Sequence, residues 1–151
     1  IKADHVYIDA MALMLVLKPW EFDVILTENM FGDILSDLGA GLIGGMGYAP
    51  SADVGDANAV FQPCHGSAPD IAGRGLANPT AMFLSAAMML EWLGERHDTT
   101  GAREAGRLIT RAVDQAFREG ALVTCEFGGE AGTDAVTRAV LAAIQSVPAH
   151  A

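Results

Sequence analysis

The chain has 151 residues, 51% of them hydrophobic, enough to bury a core and too apolar for a disordered segment. Nine basic against nineteen acidic residues give a formal charge of −10, which excludes a binder of nucleic-acid phosphates, since that needs a basic face. The longest apolar run, residues 81–90, is short and interrupted by Ser85, so nothing here predicts a membrane span. Cys64 and Cys125 lack metal-type spacing and read as reduced thiols of a cytoplasmic protein. The chain opens on Ile1 and runs straight into structured-looking sequence, which reads as part of a longer protein.

Residues 5–9 alternate apolar and polar, as a short strand does. Asp9 then stands as cap of a helix over residues 10–17 that stops before Pro19. Residues 22–27 have the pattern of a buried strand, and Asn29 is placed to cap a helix over residues 30–38. Gly39, Gly41, Gly44, Gly45 and Gly47 follow in quick succession and predict a hinge. A short extended stretch, residues 59–61, leads into a long glycine-containing loop, residues 65–78.

Asn78-Pro79 predicts a helix start, a cap followed by proline at the first helical position, with the helix running to about Arg96. Its wide apolar face (Ala81, Leu84, Met88, Leu93) predicts a central core helix. Residues 103–117 carry helical spacing with one wet face, ended by Gly120. Thr133 is placed to cap a last helix buried through Val136, Val140 and Ile144. A few strand-like stretches beside five helical ones predict α/β layering, with too few strands for a complete doubly wound sheet.

Two local patterns carry chemistry. Asp33 and Asp37 are four apart, and on a helix such residues share a face with Cβ atoms about 5–6 Å apart. Adjacent like charges cost stability unless a cation sits between them, and a hard divalent ion such as Mg²⁺ or Mn²⁺ takes oxygen ligands. A solvated acidic face fits the same spacing. Asp9 is a candidate third ligand. The second pattern is the loop His65-Gly-Ser-Ala-Pro-Asp70-Ile-Ala-Gly-Arg-Gly-Leu-Ala-Asn78. It is neither a Rossmann fingerprint, since Asn78 stands where the third glycine belongs, nor a P-loop. Small residues let a ligand approach the backbone, and Asp70 is able to accept from a ribose hydroxyl pair, but an ordinary structural loop has the same composition.

Taken in order, Tyr7-Ile-Asp9-Ala-Met-Ala-Leu-Met, Phe22-Asp-Val-Ile-Leu-Thr-Glu-Asn-Met-Phe-Gly-Asp33-Ile-Leu-Ser-Asp37, His65-Gly-Ser-Ala-Pro-Asp-Ile-Ala-Gly73, Ala77-Asn-Pro-Thr and Leu84-Ser-Ala-Ala-Met-Met-Leu are far more specific than apart. With Gly128-Gly-Glu-Ala-Gly-Thr133, they resemble the β-decarboxylating dehydrogenases acting on isopropylmalate, isocitrate, homoisocitrate and tartrate or malate. The resemblance covers most of the chain but only the C-terminal half of a typical member.

The resemblance implies a partial isopropylmalate dehydrogenase-like α/β fold. Residues 1–43 would belong to a small dimerisation and metal-binding domain, and residues 44–151 to the large cofactor domain. It implies that Asp33 and Asp37 bind Mg²⁺ or Mn²⁺, with Asp9 completing the neighbouring subunit's site in a homodimer. His65, Gly66, Ser67, Ala68 and Asn78 would hold the adenosine of NAD, and Asp70-Ile71 would meet its ribose. Members using NADP tend to carry Lys-Tyr at Asp70-Ile71, and an Asp repels a 2′-phosphate, hence NAD. The implied reaction oxidises a metal-chelated 2-hydroxy di- or tricarboxylic acid, usually with decarboxylation; examples are 3-isopropylmalate, malate or tartrate, and isocitrate.

This chain also departs from the family. The family's catalytic Lys and Tyr and its substrate-clamping arginines precede the matched stretch, and Lys2, Lys18, Tyr7 and Tyr48 do not replace them. Gln62 stands where many members place a Glu. A non-catalytic module binding NAD or metal is therefore the competing expectation.

Overall fold

The computed structural model describes residues 1–146. The chain divides into two compact units, Ile1–Ile43 and Gly44–Ala151. Among the described residues no helix is long and apolar enough to cross a membrane.

The first unit holds α1 (Ile8–Leu17), a 3₁₀ turn (Pro19–Glu21) and α2 (Asn29–Leu42). α1 packs on α2, with Met11 and Leu35 buried. Pro19 has no N–H with which to continue α1, which ends on a bond from the Lys18 N–H to the Met14 carbonyl (2.7 Å). Residues 5–9 form no strand, contrary to expectation: α1 already begins at Ile8, and Asp9 lies in its first turn. Residues 22–27 form no strand either, and Val24 and Leu26 are 88% and 98% exposed. The physical reason is common to both. A strand satisfies its backbone only through a neighbouring ladder, whereas a helix satisfies its own, and among the described residues neither segment has a ladder partner.

α2 starts one residue earlier than Asn29 as cap would place it; Asn29 is its first helical residue, and Glu28 precedes it without a side-chain cap bond. The helix also runs on through Gly39 and Gly41 to Leu42, closing with the Ile43 N–H on the Gly39 carbonyl (3.2 Å). The glycine run is thus not one loose stretch. Helical bonding holds its first members, and the left-handed backbone begins at Gly44 and Gly45, both at φ +115.

The second unit begins with a 3₁₀ turn (Met46–Tyr48) and a hairpin of β1 (Pro50–Val54) and β2 (Ala59–Pro63). The strands pair antiparallel from Pro50↔Pro63 to Val54↔Ala59, and the Gly55 N–H bonded to the Asn58 carbonyl (2.9 Å) closes the turn. This is the one named sheet among the described residues. After the loop come α3 (Thr80–Arg96), α4 (Thr100–Arg118), a 3₁₀ turn (Cys125–Phe127) and α5 (Thr133–Ser146).

α3 crosses α4 at close range because both present small residues: Ala81, Ser85, Ala87 and Gly94 on one, Gly106, Ala112 and Val113 on the other. A Cβ on Gly106 would lie 2.7 Å from the Ala87 carbonyl oxygen. The expected core face of α3 is therefore narrower than its composition indicates, with Met82, Met88 and Met89 open to solvent. The core itself gathers Ala112, Val113, Val136, Val140 and Ala143, flanked by Phe83, Leu84, Phe117 and Ile144. Val136 and Val140 are wholly buried, each contributing about 1.5–3 kcal/mol of apolar transfer.

Candidate functional site

Asp33 and Asp37 project from α2 one helical turn apart, and both are exposed. The Ser36 hydroxyl donates to the Asp33 carbonyl (3.1 Å), so it does not tie up the carboxylate. Among the described residues neither aspartate has an ion-pair partner. Two adjacent like charges without compensation are a fitting pair of oxygen donors for a divalent cation. Asp9 is also exposed, and its Oδ1 accepts the Ala10 N–H (2.8 Å). Among the described residues no three His, Cys, Asp or Glu side chains gather into a metal-binding group. The chain alone thus brings together the Asp33/Asp37 pair and no third ligand from among these types.

The loop over residues 65–78 is built from turns. The Gly66 carbonyl lies 2.9 Å from His65 Nδ1 and can accept from it. Ala68 takes a left-handed backbone (φ +42), unusual for a residue with a Cβ, and its carbonyl accepts the Ile71 N–H (3.1 Å). Ser67 and Asp70 are exposed, Ile71 half-buried. The expected binding residues His65, Gly66, Ser67, Ala68 and Asp70 therefore share one exposed stretch of loop, irregular at residues 66–68 and turning from residue 69.

Asn78 is different. It is 5% exposed, and its Oδ1 accepts both the Thr80 N–H (3.1 Å) and the Thr80 hydroxyl (2.7 Å). Asn78 thus holds the first N–H of α3 from one residue further out than expected, since Pro79 is the N-cap and Thr80 the first helical residue. Its Nδ2 is buried and has no hydrogen-bond partner among the described residues. Gly47 lies against the same side chain; a Cβ there would come within 3.0 Å of Asn78 Cβ and 3.3 Å of Nδ2. An orphaned buried amide donor costs about 1–3 kcal/mol unless something accepts from it.

Several residues that local patterns do not single out hold this loop in place. The Thr133 N–H donates to the Gly75 carbonyl (2.9 Å), and its hydroxyl donates to the Ala77 carbonyl. Thr133 is thus the first residue of α5, but its hydroxyl serves the loop and not its own helix end. The Cys125 thiol has its one proton between two acceptors, the Leu76 carbonyl (3.6 Å) and Glu126 Oε2 (3.6 Å). Desolvation, then the Glu126 charge and hydrogen bond, push this thiol above its usual range. Thr124, wholly buried, meets the Tyr48 hydroxyl. The run at residues 128–133 marks this region in the sequence, but its long-range contacts have no local signature.

Comparison with known proteins places these features in context. The family model described as isocitrate/isopropylmalate dehydrogenase matches residues 1–144. An isocitrate/homoisocitrate dehydrogenase of Thermus thermophilus is 51% identical over 147 residues, covering 97% of this chain and 42% of the relative. A 3-isopropylmalate/3-methylmalate dehydrogenase of Methanocaldococcus jannaschii is 50% identical over 133 residues, covering 88% and 38%. Among solved structures, the TT0538 protein of Thermus thermophilus superposes with a TM-score of 0.86 at 43% identity over 98% of this chain and 29% of that one. Isocitrate dehydrogenase of Methylococcus capsulatus gives 0.79 at 44% over 91% and 39%. The chain spans about two fifths of the length of the first of these curated relatives, and its helices and single hairpin are a partial isopropylmalate dehydrogenase-like fold. With the family model matched over nearly its whole length, the chain belongs to the isocitrate/isopropylmalate dehydrogenase family.

Proposed function

We propose that this chain supplies the metal-binding carboxylates and the dinucleotide-binding loop of an NAD-dependent dehydrogenase acting on a 2-hydroxy acid with a second carboxylate. Its relatives are named for isocitrate, homoisocitrate, 3-isopropylmalate and 3-methylmalate, which are the candidate substrates. The observation that carries the cofactor reading is the exposed loop of small residues that runs from His65 past Asp70 to the buried Asn78 at the start of α3. Gly66, Ser67 and Ala68 leave the loop backbone exposed, and Asp70 would accept from ribose hydroxyls while repelling a 2′-phosphate.

Asp33 and Asp37 would hold Mg²⁺ or Mn²⁺, with Asp9 of a second copy completing the site in a homodimer. When bound, NAD supplies the hydride acceptor and the cation polarises the hydroxyl under oxidation. The chain's own residues bind and orient: two carboxylates on one helical face fix the cation, and the loop fixes the nucleotide.

A second reading, a non-catalytic metal- and cofactor-binding module, is favoured by the two lysines. Lys2 pairs with Asp4 (3.0 Å) and Lys18 with Glu21 (3.3 Å), both at the surface, so neither is set up for proton transfer. Calorimetric titration of the chain with NAD and with NADP, Mn²⁺ present, tests the cofactor reading. NAD binding at least roughly tenfold tighter than NADP supports it, a gap equivalent to about 1.4 kcal/mol of charge repulsion. No heat with either, or equal affinity, overturns it. Absorbance of reduced cofactor with candidate acids then separates the readings: turnover favours the complete enzyme, NAD binding without turnover the module.

A further inference from the structure

We infer that Gly132 and Thr133, at the start of α5, are positioning residues for the nucleotide site, clamping the loop leg that ends in Asn78. The inference rests on the cofactor reading above and adds to it the part of the chain that sets the site's shape. The leg Gly75–Asn78 has no ladder or helix of its own: Gly75 ends the turns, and residues 76–78 run irregularly to α3. Two of its four carbonyls are taken by one residue. The Thr133 N–H bonds to the Gly75 carbonyl (2.9 Å) and the Thr133 hydroxyl to the Ala77 carbonyl. A third, that of Leu76, accepts from the Cys125 thiol (3.6 Å).

Gly132 makes this approach possible. A Cβ there would stand 2.1 Å from the Gly75 carbonyl oxygen, a contact no side chain tolerates and no rotamer relieves. Thr133 is itself rigidly placed: the Val136 N–H returns to the Gly132 carbonyl (3.1 Å), and Val136 is wholly buried in the core. Core packing on α5 is thus transmitted through one turn of helix to the carbonyls preceding Asn78. Asn78 itself is held by that leg on one side and by its Oδ1 bonds to Thr80 on the other.

The test compares NAD affinity of the full chain with Thr133→Ala and Thr133→Ser, with melting followed by circular dichroism. Thr133→Ala is expected to weaken NAD roughly tenfold, the loss of about one net hydrogen bond's worth of alignment. Thr133→Ser keeps the hydroxyl and is expected to restore affinity, which a role in bulk stability alone would not require. NAD binding by the unaltered chain with Thr133→Ala within about twofold overturns the clamp and leaves the cofactor reading standing. No NAD binding by the unaltered chain overturns both. Amide exchange on the unaltered chain gives a reading free of any variant. NAD is expected to slow exchange at Thr133, whose N–H ends on Gly75, and unchanged exchange there in the presence of bound NAD overturns the clamp.

Discussion

The Tyr48 hydroxyl lies 2.8 Å from Oγ1 of Thr124, seventy-six residues further along the chain. Thr124 is wholly buried, and the Tyr48 ring meets Phe117 edge-on (5.5 Å between centroids) and Phe127 at a tilt (5.8 Å). One polar contact thereby anchors an aromatic cluster. Tyr48→Phe keeps the ring and strands the Thr124 hydroxyl, so the expected loss is about 1–3 kcal/mol in urea denaturation. Adding Thr124→Val removes the stranded group, and the double variant is expected to lose less than the sum of the two single changes.

The α3–α4 crossing makes a contrast between two glycines of one helix. A Cβ on Gly106 meets backbone at 2.7 Å, whereas one on Gly101 meets nothing within 4 Å. Gly106→Ala is expected to cost about 1–3 kcal/mol by forcing the helices apart. Gly101→Ala is expected to gain roughly 0.5 kcal/mol from lower backbone entropy in the unfolded chain. Thermal melting of the two variants shows opposite signs if the crossing is as tight as described.

Asp33 and Asp37 separate binding from stability. Asn in place of either removes one of the two proposed charged ligands, and Mn²⁺ affinity is expected to fall roughly tenfold or more by calorimetry, since ligand charge sets affinity for hard cations. The metal-free chain is expected to move the other way, gaining about 0.2–0.5 kcal/mol as the like-charge pair disappears. A merely solvated acidic face would leave Mn²⁺ affinity unchanged.

Cys125 carries a pH dependence with a definite sign. Its thiol titrates above the usual value because desolvation disfavours the thiolate and the Glu126 carboxylate adds to that. The thiolate is the reactive form, so alkylation at neutral to mildly alkaline pH is expected to run slower than for an unhindered model thiol and to rise at higher pH. Glu126→Gln removes the charge and is expected to speed it. Mass-spectrometric mapping of iodoacetamide adducts over a pH series reads both effects.

What was legible in the sequence follows the reach of the forces involved. α3, α4 and α5 are announced by their own spacing and punctuation: Asn78-Pro79, Gly120, and Val136 with Val140. Asp33 and Asp37 announce themselves because their relation spans one turn of a single helix. β1 does not, because Pro50, Ser51, Ala52 and Asp53 have little strand preference and the strand exists by pairing with β2. Residues 5–9 and 22–27 fail in the opposite sense, carrying strand-like patterns with no ladder to join. Thr133 reads locally as a helix cap, and its grip on Ala77, fifty-six residues back, is a tertiary fact that no short-range rule contains.

The open segment at residues 22–27 has a consequence for how molecules of this chain meet one another. Val24, Ile25 and Leu26 stand side by side without alternation, so both faces of the stretch are adhesive. Alternation is what normally dictates a single register between strands, so a run without it leaves the register of a partner strand to other features. Asp23 and Glu28 bracket the run as gatekeepers whose charge opposes stacking of like segments.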